Sequence, residues 1–336
     1  MDKLWRSANT RGAALINRLL LKKSIAESRL LLIACATAIY AFCWTRVWIA
    51  SQFSMVQFQT VLEQFRDYER FSPVPFEQLF TYTGRVALTF DEPIVVGSVS
   101  LWAIARGSDC ISGEIGRGTM EMLLAQPVSR LQVLWSQTFV TLGGVAILAM
   151  ASWLGTYSGI MTNSVEEPVV RSWTIPWLQI EIPNLLAEKE VRRIPLRQEI
   201  DPGHLVPAAV NLFALGVFLA GLTTLFSAMD RYRWRTIGLI AMVYVTQMIM
   251  KIVALASDQL AWLNRYTFFT AYEPERFVSI AMNSPESTWS FLLRDASGAW
   301  TELGPMGYNS LLIGMGLVAY LAATLIFQRR DLPAPL

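Results

Sequence analysis

Six long runs of apolar residues divide this chain and limit what it can fold into. Each run is about 18 residues or longer, the length that an α-helix needs to cross a lipid bilayer. Charged residues make up only 16% of the chain, whereas a soluble domain carries about a quarter. The sequence therefore predicts an all-α integral membrane protein with six transmembrane helices.

The predicted organisation is one six-helix transmembrane domain, about 30–336, behind a basic segment, 1–29. The basic segment is either an amphipathic helix on an anionic leaflet or a solvated tail, and the residues leave both open. Predicted outer loops cover about 52–85, 161–205 and 257–306. The predicted spans are about 30–50, 93–110, 137–160, 206–229, 236–256 and 307–327.

Basic residues set the expected orientation. Short loops rich in Lys and Arg stay on the cytosolic side of a membrane. The N-terminal segment, the turn with Arg231, Arg233 and Arg235, and the tail with Arg329 and Arg330 share one side only if there are six spans. Six spans therefore predict cytosolic termini and a cytosolic loop at 107–131. The net charge of +2 gives no indication of nucleic-acid binding.

The loop at 107–131 contains signals for a short amphipathic helix. Thr119 is a candidate N-cap after a flexible Gly118, and Glu121 suits the positive end of the helix dipole. Pro127 is expected to end the helix, and Ser129 with Gln132 forms a capping box for the next one. The predicted apolar stripe consists of Met120, Leu123, Leu124 and Val128. Such a helix either floats on the inner leaflet or is gripped by another protein.

A resemblance to a known family favours the interpretation that another protein binds this helix. The loop resembles that of type-2 ATP-binding-cassette (ABC) transporter permeases, including those of antibiotic-resistance, sodium-efflux and copper-related maturation systems. The approach Gly107-Ser108-Asp109 and the tail with Phe327, Arg329, Arg330 and Asp331 are also similar. The residues that carry the loop resemblance are Glu114, Gly118, Thr119, Glu121, Leu123, Leu124, Pro127, Ser129 and Arg130.

The resemblance implies a permease subunit in the inner membrane of a prokaryote. It also implies export, since members of the family are mostly exporters. The loop helix would be a coupling helix that docks on a cytosolic ATPase, with ATP and magnesium bound to that partner. Thr119, Glu121, Leu123 and Leu124 would transmit force, and Glu114 and Arg130 would fix the loop to its flanking spans. A second permease copy, or a similar permease, would complete a dimer. The 161–205 insert is longer than the family pattern.

The motor is expected on another chain because this one lacks a phosphate-binding loop. The dipeptide Gly-Lys does not occur, so the pattern G-x-x-x-x-G-K-[ST] is absent from the sequence. The chain is therefore not expected to bind a cofactor or to act as an enzyme by itself.

Two alternatives come from other classes of protein. Glu166 and Glu167 with Arg171 match the E-E-x-x-x-R pattern of prenyl-protein-processing membrane proteases. That chemistry also needs histidines on later spans, and the sequence has one His, His204, in a predicted loop. The other alternative is a non-transporting channel or scaffold.

Two polar residues within predicted spans are candidates for a substrate path. Lys251 lies in the fifth span and Asn211 in the fourth. An ionisable residue inside a membrane is costly and is often functional, although a Lys near a span end can also extend to the surface.

Overall fold

The computed structural model describes residues 17–53, 58, 63–65, 76, 80–169, 172–175, 180–183, 190–294 and 300–330. Within them, six helical segments are long and apolar enough to cross a membrane. The predicted all-α class with six spans is therefore confirmed. The segments are Arg18–Gln52, Tyr82–Gly116, Arg130–Thr162, Pro202–Met229, Arg233–Ala256 and Pro305–Arg329.

The first span belongs to one continuous helix, α1 (Arg18–Gln52), of 35 residues. Its length is about 52 Å at 1.5 Å per residue, well beyond the hydrocarbon core of about 30 Å. The Asn17 side chain begins it by accepting a hydrogen bond from the Leu19 amide at 2.9 Å. Residues 18–29 thus extend the first span, and residues 1–16 of the predicted basic segment lie outside the described residues.

The second span combines several helical segments. A short helix, α2 (Tyr82–Ala87), and a 3₁₀ turn (Leu88–Asp91) lead to α3 (Pro93–Ser108). This helix begins at residue 93, the predicted start of the second span, with its proline in the first turn. A single π-helical turn (Asp109–Gly113) and the three residues of α4 (Glu114–Gly116) continue it.

The remaining helices follow in chain order. The loop helix α5 (Thr119–Leu124) precedes the third span, α6 (Arg130–Thr162). A short α7 (Leu196–Glu199) is followed by the fourth and fifth spans, α8 (Val206–Met229) and α9 (Arg233–Ala256). The chain then forms α10 (Pro274–Asn283) and the sixth span, α11 (Pro305–Arg329).

The fourth and fifth spans have opposite environments. In the most apolar window of the fourth span 78% of residues are buried, against 11% in the fifth. Glycines allow α8 to approach α11 closely, since a Cβ on Gly221 would lie 2.3 Å from the Gly316 carbonyl oxygen. The fourth span is therefore the centre of the bundle, and the fifth lies at its edge.

Long-range polar contacts bring four chain segments together at one end of the bundle, which we call the loop end. Lys23 of α1 bonds to Glu114, Arg233 at the start of α9 contacts Asp109, and Arg130 bonds to the Phe327 carbonyl oxygen. The 107–131 loop, the N-terminal part of α1, the α8–α9 turn and the C-terminal part of α11 therefore share this end.

The other connections lie at the opposite end. There β1 (Ser164–Val169) pairs antiparallel with β4 (Glu190–Pro195), and β2 (Ser172–Ile175) pairs with β3 (Ile180–Pro183). A further hairpin joins β5 (Leu292–Arg294) to β6 (Trp300–Leu303). Strands therefore occupy residues 172–175 and 180–183 within the predicted outer loop 161–205.

Candidate functional site

The loop begins with the π-helical turn at the end of α3. The amides of Ile111 and Ser112 donate to the Ser227 hydroxyl of α8, at 3.2 and 2.9 Å. The Ser112 hydroxyl in turn donates to the Ser108 carbonyl at 2.8 Å. Such turns are frequent at functional sites. The sequence places the end of the second span at about 110 and gives no sign of this π-helical turn, because the Ser227 hydroxyl that it contacts lies more than a hundred positions away.

Asp109 gathers three arginines around this turn. Its carboxylate lies 2.6 Å from Arg117, 3.3 Å from Arg233 and 3.8 Å from Arg106, measured between the nearest nitrogen and oxygen atoms. The hydrogen bond with Asp109 raises the pKa of the Arg117 guanidinium. In the sequence Arg233 is recognisable only as an orientation signal, and nothing there marks Arg106 or Arg117 as partners of Asp109.

Gly113 makes room for Asp109. A Cβ on Gly113 would lie 2.3 Å from the Asp109 Oδ1 atom, much closer than van der Waals contact allows. Gly116, in the same loop, has no atom within 3.8 Å of the corresponding position. Only Gly113 is therefore needed for close packing against the carboxylate.

Glu114 is the most buried charged residue of the loop, with 1% of its surface exposed. Its carboxylate accepts a hydrogen bond from the Lys23 ammonium at 3.1 Å and lies 3.5 Å from Arg117. Thr119 donates to the Glu114 carbonyl oxygen at 3.1 Å and also contacts its carboxylate. A buried carboxylate of this kind is stable only with such partners.

The predicted N-cap is wrong by one residue. Gly118 occupies the N-cap position of α5 with φ +71°, a left-handed conformation that favours glycine. This turn places the Thr119 hydroxyl against Glu114, so it does not cap the helix. Glu121 does lie in the first turn of α5, as predicted.

The apolar stripe of α5 faces into the protein. Met120 and Leu123 are buried, with 1% and 9% of their surface exposed, and Leu124 packs partly against the same cluster. Leu123 therefore contacts the membrane-spanning helices of its own chain. Met122 is the exposed apolar residue of the helix, at 71%. The cluster that covers the stripe includes Leu20, Ile111, Val133, Leu134, Ala228 and Phe327.

The end of the loop is built around Pro127 and Ser129. The helix α5 ends at Leu124, earlier than Pro127, which is exposed in the following turn. The capping box is confirmed: the Gln132 amide donates to the Ser129 hydroxyl at 3.2 Å, and the Ser129 amide donates to the Gln132 side chain at 3.1 Å. These bonds fix the direction in which α6 leaves the loop.

Arg130 joins the start of α6 to the end of α11. Its guanidinium donates to the carbonyls of Phe327 at 3.0 Å and Arg330 at 2.6 Å. Arg330 donates in turn to the carbonyls of Ala228 and Asp230 at the end of α8, at 2.9 and 3.0 Å. Cations at helix C-termini satisfy carbonyls that have no partner within the helix. The partners of Glu114 and Arg130 outside the loop thus lie on the first and sixth spans, whereas the expectation was the flanking spans.

These contacts surround a polar cleft of about 410 Å³ at the loop end. Its walls come from α1, the end of α3, the loop and the start of α9. The lining residues are Lys23, Glu27, Ser28, Leu31, Ala105, Arg106, Asp109, Glu114, Arg117, Thr119 and Arg233.

The two candidate substrate-path residues lie in different surroundings at the opposite end. Asn211 is fully buried, donates to the Asn309 side chain at 2.8 Å and accepts from the Glu273 amide at 3.1 Å. Lys251 donates to the Phe269 carbonyl at 3.0 Å and lines a cavity of about 550 Å³. Asn211 does not line this cavity.

The residues of the protease alternative lie apart from both sites. Glu166 is exposed on strand β1, where it pairs with Arg193 at 2.8 Å, and Glu167 follows it in the same strand. His204 lies 3.9 Å from Asp201 in a short 3₁₀ turn. No group of three His, Cys, Asp or Glu side chains suited to a metal occurs among the residues that the structure describes.

Comparison with known protein families shows which class of membrane protein this chain belongs to. The family model described as ABC-2 family transporter protein matches residues 21–332, nearly the whole chain. The chain belongs to the ABC-2 transporter permease family. It is accordingly a multi-pass membrane permease subunit of an ABC transporter. The family model describes ABC-2 transporters in general. The match therefore does not assign the chain to the antibiotic-resistance, sodium-efflux or copper-related permeases. A comparison with curated proteins gives no match.

Proposed function

We propose that this ABC-2 permease exports its substrate by alternating access, driven by ATP hydrolysis on a separate cytosolic ATPase that docks at the loop end. ATP and magnesium would bind to that ATPase, since the permease sequence has no phosphate-binding loop. Export is the direction that the family resemblance favours. The observation that carries the proposal is the packing of the loop helix α5, which buries one face against the spans and leaves the apolar side chain of Met122 exposed.

The basic residues support a cytosolic position for the loop end. Arg18, Lys22, Lys23 and Arg29 lie in the first part of α1, and Arg231, Arg233 and Arg235 lie in the α8–α9 turn. All of them fall at the end that also holds Arg329 and Arg330. By the positive-inside rule this end faces the cytosol of a prokaryotic cell, and both termini lie there.

The loop is built to pass force to several spans at once. Met122 gives an ATPase an apolar contact, and Arg117 and Gln126 of the same loop are also exposed. On the other face of α5, Leu123 and Met120 pack into a cluster with residues of five spans. A force applied at Met122 would therefore pass through α5 to these spans, since packed interiors deform little and transmit strain.

The polar contacts of the loop would direct that movement. Glu114 connects the start of the loop to α1 through Lys23, and Arg130 connects its end to α11. In this proposal Thr119 and Glu121 hold the first turn of α5, while Leu123 and Leu124 act through the core rather than by touching the ATPase.

A second permease copy is part of the proposal. The fifth span has an apolar outer face, with Met242, Val245 and Ile249 exposed. Only 11% of its most apolar window is buried within one chain. Lipid or a second copy of the permease can cover this face, and an ATPase with two sites would pair with two permeases.

A photo-cross-linking experiment tests the docking face. Benzoylphenylalanine would replace Met122 in the full-length permease, and native membranes would be irradiated. We expect a cross-linked product that contains a P-loop ATPase. The matched control replaces Met161, an exposed methionine near the opposite end of α6, and should give no such product. An ATPase cross-linked to position 161 and not to 122 would contradict the proposal.

A further inference from the structure

A cavity at the opposite end of the bundle contains more acidic than basic groups. It has a volume of about 550 Å³ and lies between the start of α3, α9 and the segment 264–273. Ligand sites in proteins have volumes of about 300–1,000 Å³. Its charged lining residues are Asp91, Lys251 and Glu273.

The acids in and around the cavity outnumber the bases that pair with them. Glu92 pairs with Arg46 at 2.9 Å, and Glu273 pairs at 3.3 Å with Arg276, which also contacts Glu302. Lys251 faces two further acids, Asp91 and Glu275.

Glu275 is the unusual member of this group. It is 2% exposed, and among the described residues neither of its carboxylate oxygens has a hydrogen-bond donor. Burial, and then the neighbouring charge of Asp91, raise the pKa of Glu275 well above its ordinary value. Glu275 itself does not line the cavity, whereas Asp91 does.

The walls of the cavity are apolar and aromatic. Tyr244 and Phe269 meet edge to face, with ring centroids 5.2 Å apart, and both line the cavity. Met248 and Ile252 line it as well and are also exposed on the apolar outer surface of α9. The cavity is thus continuous with the surface that a membrane would cover. Aromatic faces attract organic cations.

We propose that this cavity binds an organic cation with an apolar body, beside the carboxylate of Asp91. Two of its three charged lining residues are acids, which favours a positive charge, and the Tyr244, Phe269, Met248 and Ile252 walls favour an apolar body. A metal ion fits poorly, because no group of three metal-ligating side chains occurs in the part of the chain that the structure describes. That the cation is the transported substrate rests on the proposed function; that it binds does not.

The test measures binding to the purified full-length permease alone, in nanodiscs of phosphatidylcholine. The probe is radiolabelled tetraphenylphosphonium, and empty nanodiscs give the background. We expect saturable binding that tetraphenylborate, an anion of the same shape, does not compete for. Equal competition by tetraphenylborate, or no saturable binding, would overturn the proposal.

Three variants separate the charge from a change in folding. Asp91→Asn should weaken binding by about tenfold or more, because the cation would then add an unbalanced charge. Lys251→Gln should strengthen it, a result that damage to the fold would not produce. Glu286→Gln changes an exposed acid outside the cavity and should bind as the unchanged protein does. Unaltered binding in Asp91→Asn would refute the site.

Binding in this assay does not involve an ATPase. Its failure would therefore leave the proposed docking of the loop end untouched. Conversely, cation binding without a cross-link from Met122 would leave the cavity assignment standing and remove the proposed motor arrangement.

Discussion

The ammonium group of Lys23 donates a 3.1 Å hydrogen bond to the carboxylate of Glu114, 91 residues further along the chain. This bond joins the first helix to the start of the loop. Glu114 is almost fully buried, whereas Lys23 is partly exposed. The two partners should therefore respond differently to mutation, because only Glu114 depends on the pair for its solvation.

Removal of Lys23 should destabilise the loop end. In Lys23→Ala the buried carboxylate keeps Arg117 and Thr119 but loses its closest cation, and we expect a loss of about 1–3 kcal/mol. Thermal unfolding in detergent measures the change. In the background of Glu114→Gln the same substitution should cost much less. Lys22→Ala, at an exposed position, is the matched control and should have little effect.

Gly113 and Gly116 form a second matched pair. Gly113→Ala would place a methyl group 2.3 Å from Asp109 Oδ1 and should displace this carboxylate from Arg117 and Arg233. Gly116→Ala meets nothing closer than 3.8 Å and should be tolerated. The measurement is the melting temperature of the two purified variants. Equal melting temperatures would show that the tight packing of Asp109 does not contribute to stability.

Leu123 should matter for folding rather than for contact with a partner. Leu123→Ala removes a buried side chain from the cluster around Phe327, a change that costs about 2–5 kcal/mol in protein cores. Met122→Ala, one position away, should cost less than about 0.5 kcal/mol because Met122 is exposed. Limited proteolysis of the loop compares the two. Faster cleavage in Met122→Ala than in Leu123→Ala would contradict the assignment of the buried face.

Glu275 should make stability depend on pH. Burial raises the pKa of this carboxyl group in the folded protein, so the protonated form is favoured by folding. Its contribution is fully present below the ordinary pKa of about 4.5 and is lost as the pH rises through the folded value. The free energy of unfolding, measured across this pH range, should fall as the pH rises. Glu275→Gln should flatten the profile, and Glu286→Gln should leave it unchanged.

The helices were predictable because a membrane span is a local property of sequence. Length and hydropathy identified six spans, and Pro93 and the Ser129 capping box marked where two helices begin. These signals depend on residues a few positions apart. The structure confirms the six spans and both helix starts, because such local signals do not depend on how distant segments pack.

The site was less predictable because its contacts join distant segments. Nothing near Asp109 in the sequence identifies Arg233 as its partner, and nothing near Arg130 identifies the carbonyls of α11. The apolar period of α5 showed which residues share a face, but a membrane protein can turn that face towards lipid, a partner or its own core. Burial of Leu123 settled this only once the other spans were placed.

The most direct test of the central claim measures ATP hydrolysis by the ATPase that cross-links to Met122, reconstituted with the permease. We expect Met122→Asp to insert and melt normally, because the side chain is exposed, yet to lose permease-stimulated hydrolysis and transport. Met161→Asp, at the opposite end, should retain both. Full stimulation by Met122→Asp would contradict the account, since the ATPase would then couple to the membrane bundle through another surface.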